Sequence, residues 1–468
     1  MAGPGDMPSG MTGRISYITD ARALLGLGLP LIGSHLAQMI LHITDTVMLG
    51  WYGVAELAAV VLGASTFFVL FILGSGFAIG VMGMVASALG RGDEVQVRRD
   101  TRMAMWLSIL FGAMVLPVLW FSGPLLIGLG QEPHLAELAQ NYLRIAGFGM
   151  IPALLVMSLK SYLSALERAQ IVLWATLAGA VLNAFVNWAL IFGNWGAPEL
   201  GVRGAAIATT VTQALTLAIL IVYAAKVPGL RRFHLFQRFW RPDWEAFGQV
   251  FRLGWPIGLT GLAESGLFVA AALMMGWVGT IELAAHGIAM EVTAVTFMVH
   301  LGLSNAVTVR VGRAQGEGDG PGLRAVAATG MVLSMGFALI AVTILLTLPA
   351  QIIGLFLDEA QTDTGAIVIF GTLLLALAAL FQVFDAAQVM ALGMLRGVQD
   401  TKAPMWIAAV SYWLIGIPSS YVLAFPLGLG GAGLWLGLTV GLAVAAALLL
   451  ARFWRGWGPH AAGRAMAR

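Results

Sequence analysis

Along most of its length the chain alternates between apolar runs of roughly 20 residues or more and brief polar or glycine-bearing turns. A run of that length crosses the hydrocarbon core of a bilayer as a helix. Read with a transmembrane-length window, the pattern predicts about twelve such helices, near residues 22–46, 55–88, 102–128, 136–165, 169–193, 202–226, 247–276, 283–312, 323–349, 365–395, 403–425 and 431–454. One separator is longer than the rest. Residues 226–246 (KVPGLRRFHLFQRFWRPDWEA) are basic and amphipathic, and they fall near the middle of the chain. The opening segment is polar and lacks the basic-then-apolar order of a cleaved signal peptide, so it reads as a short flexible tail.

The basic residues fix an orientation. With the N-terminus in the cytoplasm, 23 of the 25 Lys and Arg fall in inside segments, and only Arg144 and Arg203 fall outside. The outer turns carry acids instead: Glu56, Glu132, Glu137, Glu199, Glu282, Asp358, Glu359 and Asp363. An even number of helices with both termini inside satisfies the positive-inside rule. The tryptophans Trp51, Trp277 and Trp454 sit near helix ends, where amphipathic rings favour the membrane interface.

The sequence also repeats itself. LGLPLIGSHLAQ (27–38) lies over LGWPIGLTGLAE (253–264) at a shift of 226 residues, MLGWYGVAELAA (48–59) lies over MMGWVGTIELAA (274–285), and GRGD (90–93) lies over GEGD (316–319). Six helices per half is an even number, so both halves share one orientation and form parallel repeats about an axis along the membrane normal. The fold predicted is all-α and integral to the membrane: about twelve transmembrane helices in two pseudo-twofold-related six-helix lobes around a central cleft. The divisions expected are a flexible cytoplasmic tail at 1–20, a first lobe at 21–226, a basic cytoplasmic linker at 227–246, a second lobe at 247–455 and a cytoplasmic tail at 456–468. Glycine pairs at small-xxx-small spacing, such as Gly76/Gly80 and Gly437/Gly441, let helices approach closely in lipid.

Composition supports this reading. Of 468 residues, 59% are hydrophobic and 10% are charged, against roughly 25% charged in a soluble domain. So few charges cannot solvate the exterior of a soluble enzyme, and a net charge of +2 offers no nucleic-acid patch. The absence of cysteine excludes disulfides and thiolate chemistry. No GxxxxGK[ST] motif occurs, so no ATP site is expected. His35, His42, His286 and His300 match no metal-ligand spacing, and no transition-metal site is expected.

Four acids fall at bilayer depth: Asp45, Glu264, Glu291 and Asp385. An intramembrane carboxylate costs about 2.5–3.5 kcal/mol on insertion scales, and is by default a functional hypothesis. Lys and Arg cluster at the inner helix ends, so the sequence offers these acids no fixed cationic mate. They must pair with a mobile cation or carry protons. Asp45 ends a polar stripe on the first helix (Ser34, Gln38, His42, Asp45) whose spacing puts it on one face, and Gln38 is the repeat mate of Glu264. A cleft with acids and aromatics suits amphipathic organic cations, with Phe381, Tyr412 and Trp413 among the rings able to offer cation–π faces.

Three segments carry a family likeness: LGLPLIGSHLAQMILHITDTVMLG, ELAAHGIAMEVTAVTFMVHLGLSNAVTVRVG and FQVFDAAQVMALGMLRGVQDTKAP. Over about residues 20–455 the chain resembles the multidrug and toxic compound extrusion (MATE) transporters, within their NorM-like branch. The resemblance implies a multidrug efflux antiporter of a bacterial-type inner membrane, not an enzyme. It would export cationic drug-like molecules against Na⁺ or H⁺ by alternating access, as a monomer. The likeness also implies a second-lobe cation site at Glu264 and Asp385. A family tyrosine one turn before that aspartate is replaced here by Phe381. In the first lobe the resemblance implies a proton or Na⁺ site of Asp45 with Asn183 and Asn187, with Thr209 as a weaker member, and Gln38, from the polar stripe of the first helix, is expected to join that site. Glu291 stands where the family usually has an amide and is expected to contact the cation in the cleft; His42 is expected as a further cleft contact able to relay protons.

Two alternatives differ in their charge needs. A lipid-linked oligosaccharide flippase wants a cationic cleft, whereas the sequence places acids at depth. An intramembrane transferase wants paired Asp clusters or a His-Asp set at the membrane face, and His42 and Asp45 lie too deep for that.

Overall fold

The computed structural model describes residues 17–356 and 364–458. Of the tails expected at 1–20 and 456–468, residues 1–16 and 459–468, with Arg14, Arg464 and Arg468, lie outside the described residues, as does the acidic turn of Asp358, Glu359 and Asp363; residues 17–20 and 456–457, expected as tail, belong instead to the first and last long helices. Twelve long apolar helices run through the rest. They are α1 (Tyr17–Tyr52), α2 (Val54–Gly90), α3 (Glu94–Trp120), α4 (Pro133–Ala165), α5 (Ala169–Phe192), α6 (Val202–Lys226), α7 (Trp244–Val278), α8 (Thr280–Glu317), α9 (Gly320–Thr347), α10 (Thr364–Gly397), α11 (Lys402–Ala424) and α12 (Gly430–Trp457).

Most helices run a few residues beyond their pattern-based bounds, and three features depart from the pattern itself. The expected third span breaks at Phe121, and Ser122–Gly128 forms a separate short helix. The ninth likewise breaks before Pro349, which starts the short helix Pro349–Gly354; proline suits a first helical turn because that N–H has no partner anyway. Hydropathy alone does not register either break. The third difference is inside α11, where Val410–Gly416 is π-helical, a local widening frequent at functional sites.

The repeated tetrapeptides are helix junctions. Gly92 and Gly318 both adopt φ of +73°, a left-handed conformation that glycine tolerates without a Cβ clash. The following acids, Asp93 and Asp319, then cap α3 and α9 by accepting from the backbone N–H of Gln96 and Gly322, each at 2.9 Å. Such a cap contributes about 1 kcal/mol.

The lobes meet through contacts that exchange under the 226-residue shift. A Cβ on Gly28 would strike Leu303, and one on Gly254 would strike its mate, Phe77. Gly302 closes on Ile32 as Gly76 closes on Gly258. Gly90 and Gly316 are mates of each other and touch, so α2 and α8 cross on the pseudo-twofold axis itself. Within each lobe the packing repeats too, with α2 on α4 mirrored by α8 on α10, and α1 on α5 mirrored by α7 on α11.

All these inter-lobe glycine contacts lie in the half of the bundle where α1 begins and α12 ends, the basic end. Toward the acidic end, the described hydrogen bonds of α1 and α2 stay within the first lobe, and those of α7 and α8 within the second. The lobes therefore form a V, sealed at the basic end and parted toward the acidic end. Two ion-pair clamps flank the seal. Glu167, in the turn between α4 and α5, accepts from Arg310 at 3.1 Å and Arg313 at 3.4 Å on α8. Arg99 of α3 holds Asp243 and Glu245 at the start of α7, at 2.5 and 2.7 Å. The same guanidinium keeps the Asp243 carboxyl below the usual carboxylate range. That contribution is present above the ordinary Asp range and is lost as pH falls through the lowered value.

The seam predicts a steric test. At Gly90 an added Cβ would lie 2.2 Å from the Arg313 carbonyl oxygen, whereas at Gly336 it meets nothing within 4 Å. Gly90→Val is expected to destabilise the closed seam by about 1–3 kcal/mol and to expose basic-end cysteine reporters to labelling. Gly336→Val should change neither thermal unfolding nor labelling.

Candidate functional site

In the first lobe, α1 brings Asp45 against α5 and α6. Asp45 is 9% exposed. Its Oδ1 accepts from Asn187 Nδ2 at 2.5 Å, and its Oδ2 accepts from Thr209 Oγ1 at 3.3 Å. Asn187 Nδ2 also donates to Asn183 Oδ1 at 3.0 Å. The i, i+4 spacing of the two asparagines puts both on the face of α5 that meets α1. Each keeps one buried atom without a partner: Nδ2 of Asn183 and Oδ1 of Asn187. His42 is exposed one turn away and acts electrostatically on Asp45. Gln38 stands elsewhere, two turns along α1, and its amide is directed to His35.

In the second lobe, α7, α10 and α11 converge. Asp385 is 1% exposed, and neither of its oxygens has a hydrogen-bond partner. Glu264 Oε1 is likewise buried and unpartnered. Gln388 sits beside Glu264 and donates to the Tyr412 hydroxyl at 2.6 Å, leaving its own Oε1 unmet. Ser411 Oγ, next along the π-helical stretch, is unmet as well. Gln382 accepts from Thr296 of α8 at 2.8 Å and keeps an idle Nε2. Buried polar atoms without partners are rare in folded proteins and cost roughly 1–3 kcal/mol each. The unmet oxygens of Glu264, Asp385 and Gln388 lie near one another, an arrangement that a small hard cation or a proton would complete.

Two aromatic expectations change. Phe381 and Tyr412 do not line the cleft in this conformation. Phe381 is 1% exposed and packs edge-on against Phe268 and Trp435, and Tyr412 is fully buried inside the lobe. Both point from their helices into the lobe's own core, a direction that residue type alone does not reveal. Trp413, the next residue, is 48% exposed and donates to the Ala263 carbonyl at 3.1 Å. Glu291 is exposed on α8.

The sequence reading missed two basic side chains. Lys160 is buried, with its Nζ 3.4 Å from Ser34 Oγ, where spacing had placed it at an inner helix end. Arg396 acts electrostatically on both Glu264 and Tyr412, without an ion pair to either carboxylate among the described residues. Tyr142 of α4 is a third addition, close enough to Asp45 to feel its charge. Arg396 carried a signal that could have found it, since it lies eleven residues, about three turns, past Asp385 on one helix. His286 and His300 are occupied within the lobe, by Trp435 Nε1 at 3.1 Å and Ser334 at 2.8 Å.

Known proteins are similar to this chain in sequence and in fold. The MatE family model matches residues 30–189 and 256–422, one block in each lobe. The chain is 48% identical over 440 residues to a protein of Rhizobium meliloti (strain 1021) named "Probable multidrug resistance protein NorM", covering 94% of each. It is 41% identical over 442 residues to a protein of the same name from Agrobacterium fabrum, covering 94% of this chain and 95% of that one. A crystal structure of MATE in complex with MaL6 superposes with a TM-score of 0.84 at 21% identity, covering 95% of this chain and 98% of that one.

The first-lobe geometry predicts energetic coupling. In a double-mutant cycle of Asp45→Asn and Asn187→Ala, the pair should show about 1.5–3 kcal/mol of interaction, as hydrogen bonds to a charged group do. Thermal unfolding of the purified variants measures it. Additive single effects would mean that the 2.5 Å contact carries no energy.

Proposed function

This chain belongs to the MATE family of membrane transporters, and from that membership we propose how its two carboxylate pockets drive transport. It is a multi-pass NorM-type multidrug efflux transporter, a cation-coupled antiporter rather than an enzyme. In our reading the basic end faces the cytoplasm, as the positive-inside rule requires. The V is then open to the outside, and the two ion-pair clamps hold the cytoplasmic face shut.

The coupling ion is Na⁺ or H⁺. The observation that carries the assignment is the unmet oxygen set of Glu264, Asp385 and Gln388. A cation entering from outside completes that set and neutralises the acids. A cationic drug needs the same negative charge. Each ligand therefore lowers the affinity of the other, by the same factor in both directions. Ion binding in the outward state releases the drug, and ion loss to the cytoplasm restores the acids for the next one. Each positive charge moving inward gains about 2.3 kcal/mol per 100 mV. Asp45 with Asn183, Asn187 and Thr209 is a second cation-responsive pocket, placed to shift α1 against α5 and α6 when its charge changes. The cleft lies within one chain, so a monomer suffices.

Vesicles with an imposed Na⁺ or pH gradient test this scheme. Wild-type protein should expel ethidium along one of the two gradients. Glu264→Gln and Asp385→Asn should each slow that export by about tenfold or more, the loss of roughly 1.4 kcal/mol of cation binding. Export at the wild-type rate by both variants would overturn the carboxylate mechanism.

A further inference from the structure

The linker between the lobes is longer than a connection requires, and it is held in one shape. Its first part turns Leu230, Phe233 and Leu235 into the body of the protein, where all three are buried. Its second part lies along α3. Arg102 donates to the carbonyls of Gln237, Arg238 and Arg241, the latter two at 3.0 and 3.1 Å, and Trp106 Nε1 donates to the Phe239 carbonyl at 2.8 Å. Helical side chains lean back toward the helix start, so Arg102 and Trp106 reach the level of the opening turns of α3, where the bilayer interface begins. With four carbonyls already satisfied by protein, this loop suits a depth where water is scarce. His234 and Arg238 are held at φ of +46° and +54°, left-handed values that these residues adopt only when surroundings impose them.

The side chains left over all face outward. Trp240 and Trp244 are 72% and 70% exposed. Arg231, Arg238 and Arg241 are exposed, and among the described residues none has an ion-pair or side-chain hydrogen-bond partner. The linker's two acids, Asp243 and Glu245, are taken up by Arg99, so the arginines stay uncompensated. Orientation alone needs positive charge on this side; it does not need a pinned loop that presents three unpaired arginines together with two exposed indoles.

We infer that this face of the linker is a docking surface for anionic phospholipid headgroups of the adjoining leaflet. Arg231, Arg238 and Arg241 receive the phosphates, and Trp240 and Trp244 anchor at the headgroup level. The lipid joins the linker, α3 and the start of α7 across the two lobes, and so favours the closed basic end. The side of the membrane rests on the orientation proposed above; the lipid chemistry does not.

The full-length protein, reconstituted in vesicles of phosphatidylcholine or of phosphatidylcholine with phosphatidylglycerol, tests the inference. Wild type should unfold at a higher temperature in the phosphatidylglycerol vesicles, and should retain that lipid over phosphatidylcholine in native mass spectrometry. The triple variant Arg231→Gln, Arg238→Gln, Arg241→Gln should lose the temperature shift and about tenfold or more of the lipid preference. A lysine version of the same triple should keep most of both, since charge is preserved. The inference fails if the glutamine variant keeps the shift and the preference. It also fails if inorganic phosphate added to phosphatidylcholine vesicles reproduces the shift.

Discussion

Buried carboxylate oxygens without donors are the constraint on which this structure turns. Asp385 has neither oxygen paired, and Glu264 has one unpaired, in a protein whose surroundings are largely hydrocarbon. Charged groups at that depth persist only with a partner. Arg396 contributes its field to Glu264 but forms no ion pair with it, so the pocket retains its appetite for a mobile cation. A locked basic neighbour would have removed that appetite and with it any reason for exchange.

The scaffold around the acids is twofold, and the chemistry placed on it is not. Gly90 and Gly316 meet on the axis, and Gly28 and Gly254 make mirrored contacts. The same shift sets neutral Gln38 opposite Glu264, and Ala271 opposite Asp45. One lobe thus carries its acid about 10 Å further along the equivalent helix than the other, from seven residues at 1.5 Å rise. Symmetry supplies two rigid halves that rock about a glycine seam; asymmetry supplies two pockets with different partners. Asp45 is well hydrogen-bonded by Asn187 and Thr209, whereas the Glu264 and Asp385 pocket is under-satisfied.

Much of this was legible in the residues. Hydrophobic runs gave the helices because lipid leaves the backbone no alternative, and charge placement told a basic end of the bundle from an acidic one. The repeat gave the axis. The resemblance, with its asparagine pair, led to Asp45, Asn183 and Asn187, which the fold brings together. What was not legible depends on rotation of one helix against another. Phe381 and Tyr412 turn inward, Lys160 is buried against Ser34, and Gln38 faces His35 instead of Asp45. Hydropathy also passes over the breaks at Phe121 and before Pro349, since the flanking residues are equally apolar. The linker read as basic and amphipathic, but its pinning by Arg102 and Trp106 is a tertiary feature with no local signature.

The most direct measurement is a count of ions at equilibrium. Purified protein loaded with the coupling cation and titrated with a monovalent organic cation such as ethidium should release about one Na⁺ or H⁺ per drug bound, as competition for shared acids requires. Asp385→Asn should bind the drug more weakly and release less. Full-affinity drug binding by wild type with no cation released would contradict the account at its centre.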